Sequence, residues 1–322
     1  MSITERIIKN SLIFYVNDDI MLAHLQKCKN LITKNKKIKG GSNMLRLNGF
    51  EIQTERFPNN ETKVKDFEQH ILGIGEENSL IENVLEFKYF NDEDLVLLMF
   101  VKQRIDEFNV PCTLFIWYMS YSRMDRKIEG DLFNLKYVCN FINWLNFARV
   151  IVMEPHSEKT LQLLERVTPI YPVKDWVKPE KISDDVQIVF PDKGAAARYK
   201  DCNYKNVCIM EKTRNPYNGW ITGMELKEGK VIPGAKCVII DDLCCAGGTF
   251  LRAANILKEN GASEVVLVVF HCEETIFNGK LLNDDSPISE IYTSKSIMDK
   301  EHPKIHYMDV NVMEYVYGKK EL

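Results

Sequence analysis

The stretch that most constrains the fold of this chain is Val238-Ile239-Ile240-Asp241-Asp242-Leu243-Cys244-Cys245-Ala246-Gly247-Gly248-Thr249-Phe250. A short unbroken apolar run is what a parallel strand buried on both faces looks like in sequence. Ligands of open α/β sheets sit just past the carboxyl ends of such strands, so the two acids and the glycine-rich turn fall at the ligand edge. Asp241 and Asp242 can accept hydrogen bonds from vicinal sugar hydroxyls or hold a metal through water. Gly247 and Gly248, followed by Thr249, let backbone N–H groups close on a phosphate. Residues 251–258 have helical spacing, and a helix that starts here adds partial positive charge at the same place. The order describes a phosphosugar site, although a plain strand, turn and helix would use the same residues.

Elsewhere the pattern alternates between short β-like runs and longer helical stretches, which predicts an α/β protein with largely parallel sheets flanked by helices. Strands are expected at residues 12–16, 113–118, 150–153, 186–190, 206–210, 237–240 and 264–270, and helices at 21–31 and 133–146. The alternation restarts after the proline-bearing stretch 168–179, since prolines interrupt both helix and central strand. Two similar domains are therefore expected, residues 1–168 and 169–322, with the last residues of the chain returning to the first. The 322 residues are 45% hydrophobic and 27% charged, enough for two full cores and unlike a disordered chain.

A net charge of −4 and the absence of long Lys/Arg blocks leave no electrostatic footprint for nucleic acid. No run of eighteen apolar residues is present, which excludes a helical membrane span. Nine cysteines without Cys-x-x-Cys pairing, and no apolar signal core at the N-terminus, fit a reducing cytoplasm.

The segment from Val238 to Thr249 resembles the ribose-5-phosphate motif shared by type I phosphoribosyltransferases and ribose-phosphate pyrophosphokinases, in which Asp-Asp is followed after two residues by Asp-Thr-Gly-Gly-Thr. Asp241, Asp242, Gly247, Gly248 and Thr249 match, whereas Cys245 and Ala246 stand where that pattern has Asp and Thr. A second stretch, Tyr121-Ser122-Arg123-Met124-Asp125-Arg126-Lys127, resembles the Tyr-Ala-Arg-Gln-Asp-Arg-Lys signature of the pyrophosphokinases, which separates them from the transferases. By charge pattern alone it is equally a solvated loop. The resemblance implies that Arg123, Met124 and Asp125 lie at an ATP site.

Four more segments follow in the same order. Phe57-Pro58-Asn59-Asn60-Glu61 resembles the family's Phe-x-Asp-Gly-Glu loop, which implies that Phe57 stacks on adenine and that Asn59 and Glu61 accept from it across a subunit boundary. Glu154-Pro155-His156 is similar to the family's Asp-Leu-His, and residues 190–194 resemble its Ser-Pro-Asp-x-Gly turn. By that likeness His156 and Asp192 are metal residues. Glu211-Lys212-Thr213-Arg214-Asn215-Pro216 resembles the start of the family's catalytic loop, with Lys212 and Arg214 as the catalytic cations and residues 217–220 as a lid.

Together these likenesses imply an Mg²⁺-dependent transfer of the β,γ-diphosphoryl group of ATP to the anomeric hydroxyl of a ribose 5-phosphate unit, with release of AMP. They also imply a homo-oligomer with shared ATP sites. The acceptor is either ribose 5-phosphate or a form extended at its phosphate, such as ADP-ribose, because Cys245 and Ala246 weaken the phosphate cradle. A phosphoribosyltransferase and a non-catalytic regulatory relative are the alternatives from other classes.

Overall fold

A computed structural model describes residues 45–75, 82–128, 130–214 and 221–317. The chain divides into two compact units, one of residues 1–87 and 92–114 and the other of residues 88–91 and 115–322. The expected strand at 12–16 and helix at 21–31 lie outside the described residues.

In the first unit β1 (Leu45–Leu47) runs antiparallel to β2 (Phe50–Glu51). Asn48 and Gly49 join them, with φ of 53° and 84°. An Asn-Gly pair with both φ positive makes the tight turn whose twist matches that of the strands. The hairpin β3 (Thr54–Arg56) and β4 (Thr62–Val64) carries the Phe57 loop. The buried strand β5 (Asn83–Phe87) pairs antiparallel with β1 and lies beside β6 (Cys112–Ile116). The helix α1 (Glu93–Asp106) buries Leu97, Leu98, Val101 and Ile105 at helical spacing.

The second unit continues through α2 (Asn134–Trp144), β7 (Arg149–Met153), α3 (Glu158–Leu163), β8 (Val167–Ile170) and α4 (Pro172–Trp176). Its main sheet is built from β9 (Val186–Phe190), β10 (Val207–Arg214), β11 (Ile221–Glu228), β12 (Lys236–Cys244), β13 (Glu264–Cys272), β14 (Glu290–Thr293) and β15 (Ile305–Tyr307). The helices α5 (Lys193–Arg198) and α6 (Gly248–Glu259) complete it. Strand order is β11-β10-β9-β12-β13-β14-β15, parallel throughout except for the β10–β11 hairpin at one edge. Ile239, Val265, Leu267 and Val269 pack with Phe250, Ala253, Ala254 and Leu257 of α6 in one buried core. The predicted α/β class with mostly parallel sheets is what the chain adopts.

The prolines of 168–179 fall within regular structure, and one strand end differs from expectation. Pro169 lies within β8, the end strand of its sheet, and Pro172 opens α4. Proline is tolerated at a sheet edge and in the first turn of a helix because neither position needs its missing N–H. The strand expected to end at Ile240 instead runs to Cys244 and includes both acids. It pairs with β9 only as far as Ile239, but with β13 as far as Cys244.

Candidate active site

That unequal pairing builds the site. Beyond Ile239 the β9 side of β12 is open, because β9 has ended at Phe190 and turned through Asp192 into α5. Into the opening comes Arg198, the last residue of α5. Its Nη1 lies 2.7 Å from Asp242 Oδ1 and 3.3 Å from Asp241 Oδ1, while Nη2 donates to the carbonyl of His156 at 2.7 Å. His156 Nδ1 stands 2.6 Å from the other oxygen of Asp242. Burial works against the charge on Asp242, but Arg198 and His156 overcome it and hold this carboxyl well below its usual range. Asp241 shifts the other way, raised by burial and by the neighbouring Asp242 charge. The two acids therefore differ in kind: Asp242 is a fixed anion that organises the site, and Asp241 is the one that holds a proton more readily.

His156 is aimed by the two residues before it. Glu154 takes φ of 39°, a left-handed conformation that a glutamate holds only when its surroundings fix it. Here they do: its N–H donates to Ile170 O at 2.7 Å, its carbonyl accepts from His271 Nε2 at 3.2 Å, and its carboxyl accepts from Tyr199 OH at 2.7 Å. Burial raises the Glu154 carboxyl to about 7, against the pull of Tyr199 and Arg198. Burial lowers His271 to about 4, so its ring is neutral, with Nδ1 accepting from Ser296 Oγ at 2.9 Å.

Asp192 caps α5, accepting from Ala195 N at 2.9 Å through Oδ1 while Oδ2 pairs with Lys212 Nζ at 2.7 Å. Partial burial would raise its carboxyl, but Lys212 and the helix N–H groups lower it. Lys212 stands on β10 rather than on a loop. The strand continues to Arg214, which is in register with Ile221. Lid residues 217–220 lie outside the described residues.

No group of three or more His, Cys, Asp or Glu side chains able to hold a metal occurs among the described residues. His156 has Nδ1 committed to Asp242, which leaves Nε2 to face a ligand, and both oxygens of Asp192 have partners. Such isolated donors suit a Mg²⁺ ion that arrives on phosphates with most of its own ligands, rather than a resident site.

On the far side of β12 the turn is shaped by close packing. Gly247 has φ of 82°, and a Cβ there would overlap Leu281, while a Cβ at Gly279 would overlap the carbonyl of Ala246. Helix α6 then starts at Gly248, so Gly248 and Thr249 form its first turn and its N–H groups face the turn. Arg123 joins this turn: Nη1 is 2.8 Å from Cys245 Sγ and Nη2 is 2.9 Å from Glu273 Oε1. Burial pushes the Cys245 thiol up to about 12, with Glu273 adding to the shift and Arg123 opposing it. Arg123, Met124 and Glu273 also line a cleft of ≈ 320 Å³ with Tyr89, Tyr118 and Tyr121. Asp125 is turned to Ser157, whose Oγ donates to it at 2.7 Å.

The remaining predicted residues belong to the first unit. Phe57 is exposed, and Asn59 accepts from Glu61 N at 3.1 Å within its own loop. Phe57 and Glu61 border a hollow of ≈ 430 Å³ floored by Val96, Leu97 and Phe100.

Three residues central to this geometry carried no role in the sequence reading: Arg198, Glu273 and the buried Glu154. A cation in the last turn of a helix reads as a complement to the dipole. Glu273, one residue past a strand, reads as surface charge.

No protein-family model matches the chain. It is 26% identical over 271 residues to the ribose-phosphate pyrophosphokinase of Sulfolobus acidocaldarius, covering 81% of this chain and 89% of that one. It is 27% identical over 288 residues to the enzyme of the same name from Pyrococcus abyssi, covering 85% and 92%. Among solved structures, phosphoribosylpyrophosphate synthetase from Mycobacterium smegmatis superposes with a TM-score of 0.61 over 88% of this chain and 91% of that one, at 16% identity, which speaks for the fold. The ordered motifs, the relatives matched over most of both chains and the shared fold agree: the chain is similar to the ribose-phosphate pyrophosphokinases, enzymes of the diphosphotransferase type.

Proposed function

We propose that the enzyme transfers the β,γ-diphosphoryl group of Mg²⁺-bound ATP to the C1 hydroxyl of a ribose 5-phosphate unit and releases AMP. The observation that carries this reading is the contact between Arg123 and Cys245, because it joins the nucleotide-side stretch to the sugar-side turn. The C1 hydroxyl oxygen attacks the β-phosphorus and gives up its proton to solvent, the bond from that phosphorus to the α-bridging oxygen breaks, and AMP leaves with the electron pair. Asp241 and Asp242 hold the ribose hydroxyls, and the N–H groups of residues 246–249 hold its phosphate. Lys212 and Arg214 offset charge that develops on the phosphoryl oxygens, a stabilisation greater in the transition state than in the resting complex. Lys212 would exchange its partner Asp192 for phosphate as substrate arrives. His156 and Asp192 would touch the ion carried by the nucleotide, whose chemistry is to neutralise the triphosphate.

Phe57, Asn59 and Glu61 would bind adenine of a neighbouring subunit's nucleotide, in a homo-oligomer with shared ATP sites. The domain division at 168/169 and a cytoplasmic location are part of the same reading; no helix among the described residues is long and apolar enough to cross a membrane.

For the acceptor we favour ribose 5-phosphate extended at its phosphate, such as ADP-ribose, giving ADP-ribose 1-pyrophosphate for NAD salvage. A terminal phosphomonoester needs more donors than a phosphate within a diphosphate, and Ala246 lacks the hydroxyl that a threonine would supply. Incubation with ATP, Mg²⁺ and either ribose 5-phosphate or ADP-ribose, followed by AMP assay and product mass, tests both levels. AMP release with ribose 5-phosphate alone overturns the extended acceptor, and none with either acceptor overturns the activity.

A further inference from the structure

We propose that Glu273 is a positioning residue that supplies, from the end of β13, the carboxylate that the sugar-side turn lacks at Cys245. The inference rests on the proposed placement of ATP at Arg123. A guanidinium aligned for phosphate needs an anchor on its other edge, since a free arginine side chain loses rotamer freedom on binding. In the resembled motif an aspartate occupies position 245. In this chain the thiol there is neutral, and it meets Nη1 of Arg123 at 2.8 Å without offering a charge.

The charge comes instead from the adjacent strand. Cys244 and Cys272 are in register at the ends of β12 and β13, so the residues that follow them, Cys245 and Glu273, leave the sheet side by side. Glu273 N donates to Cys244 O at 2.8 Å and ties the two exits together. Its Oε1 then takes Nη2 of Arg123 at 2.9 Å, and its Oε2 accepts from Thr275 Oγ1 at 3.0 Å. One guanidinium is thereby held at two nitrogens by two strands, and its charge stays balanced although the turn has lost its acid. The fixed carboxylate also lines the cleft that contains Arg123, Met124, Tyr118 and Tyr121.

The consequence is an exchange that a merely structural role would not reproduce. E273Q should raise KM for ATP about tenfold with a smaller change in kcat, the size expected when a charge-assisted hydrogen bond becomes neutral. Adding C245D to E273Q should return KM to within about threefold of wild type, because the carboxylate is restored from the other strand. In an R123A background E273Q should have no further effect, which tests the route through Arg123 without relying on the C245D variant to fold. Melting temperatures of all variants report folding. Wild-type AMP formation is the separate check on the function itself. With an active wild type, an unchanged KM in E273Q overturns the inference. A rise in KM that a folded C245D/E273Q protein fails to reverse, or a further rise when E273Q is added to R123A, overturns it equally.

Discussion

At the end of β12 the Asp242 side chain is 3% exposed and each of its oxygens has a partner, His156 on one and Arg198 on the other. In the β3–β4 loop Phe57 is 43% exposed, and Asn59 gives its side-chain oxygen to the loop's own backbone. Both sets of residues come from motifs that resemble the same family, in the same order along the chain. The first is completed by the chain's own second unit, with geometry fixed by buried charge. The second stands on an exposed hairpin tied to α1 by the Arg56–Glu93 pair, and its proposed target must come to it. Substitutions should therefore cost stability and activity together at β12, and activity alone at the loop.

The largest effect should follow loss of Arg198. R198A strips the counter-ion from Asp242, weakens Asp241 and frees the carbonyl of His156. Removing one partner from a buried ion pair costs about 3–5 kcal/mol. Denaturant unfolding should show that loss, with AMP formation down more than about a hundredfold. A variant that kept wild-type stability would erase the contrast with the loop.

Next comes the Asp192–Lys212 pair, where K212A should lower kcat by about a hundredfold. Stability should fall by only about 1–2 kcal/mol, because Asp192 keeps its bond to Ala195 N. Single-turnover AMP release separates that chemical step from binding. A change confined to KM would place Lys212 in substrate binding alone.

How much of this was legible in the sequence depends on what kind of force places each residue. Apolar runs gave β12 and β13, because a strand buried on both faces is built from such runs, and the motif order singled out Asp241, Asp242, His156, Asp192 and Lys212, although the expected division at 168/169 set His156 apart from the other four. Strand ends were misjudged. Asp241 and Asp242 read as the stop of β12, yet β13 continues beside them to Cys272 and keeps their backbone paired. Only a neighbour's length could reveal that. Arg198 and Glu273 were invisible for the related reason that their partners lie 44 and 150 residues away. A single charged residue carries no sign of which distant anion or cation it will meet. The left-handed Glu154 was equally hidden, since its conformation is imposed by Tyr199, Ile170 and His271.

A third effect, spread over a pH range and full only above pH 7, is a pH dependence that only the buried side of the comparison should show. The Glu154 carboxyl rises from 4.5 to about 7 on folding, so the folded state holds a proton that the unfolded state has released. Its contribution is neutral below 4.5, declines as pH rises through the window, and reaches its full cost above 7, about 3 kcal/mol at most. His271 works in the opposite sense. Lowered from 6.5 to about 4, it contributes fully above 6.5 and loses stability as pH falls toward 4. The two slopes oppose each other between 4.5 and 6.5, so the difference between wild type and E154Q isolates the glutamate. Glutamine still accepts from Tyr199 and cannot ionise. The stability gap in favour of E154Q should open steadily from pH 4.5 to 7.5 in urea titrations, and a constant gap would show that Glu154 stays protonated throughout.

The smallest expected effect on the folded protein belongs to Phe57. F57A removes an exposed ring, and exposed substitutions of this kind change stability by less than about 0.5 kcal/mol. If the ring stacks on adenine, KM for ATP should rise about five- to tenfold, since an aromatic contact contributes about 1 kcal/mol beyond the area it buries. The comparison sharpens further when F57A is mixed with K212A. Each protein alone lacks one half of a site, but an assembly in which the loop serves a neighbour's nucleotide would contain intact combinations of one K212A loop and one F57A catalytic unit. Activity at low ATP above the sum of the two variants is the expected result. Strict additivity after subunit exchange would mean that the loop acts within its own chain, and the contrast between a self-built site and one completed by a neighbour would fall.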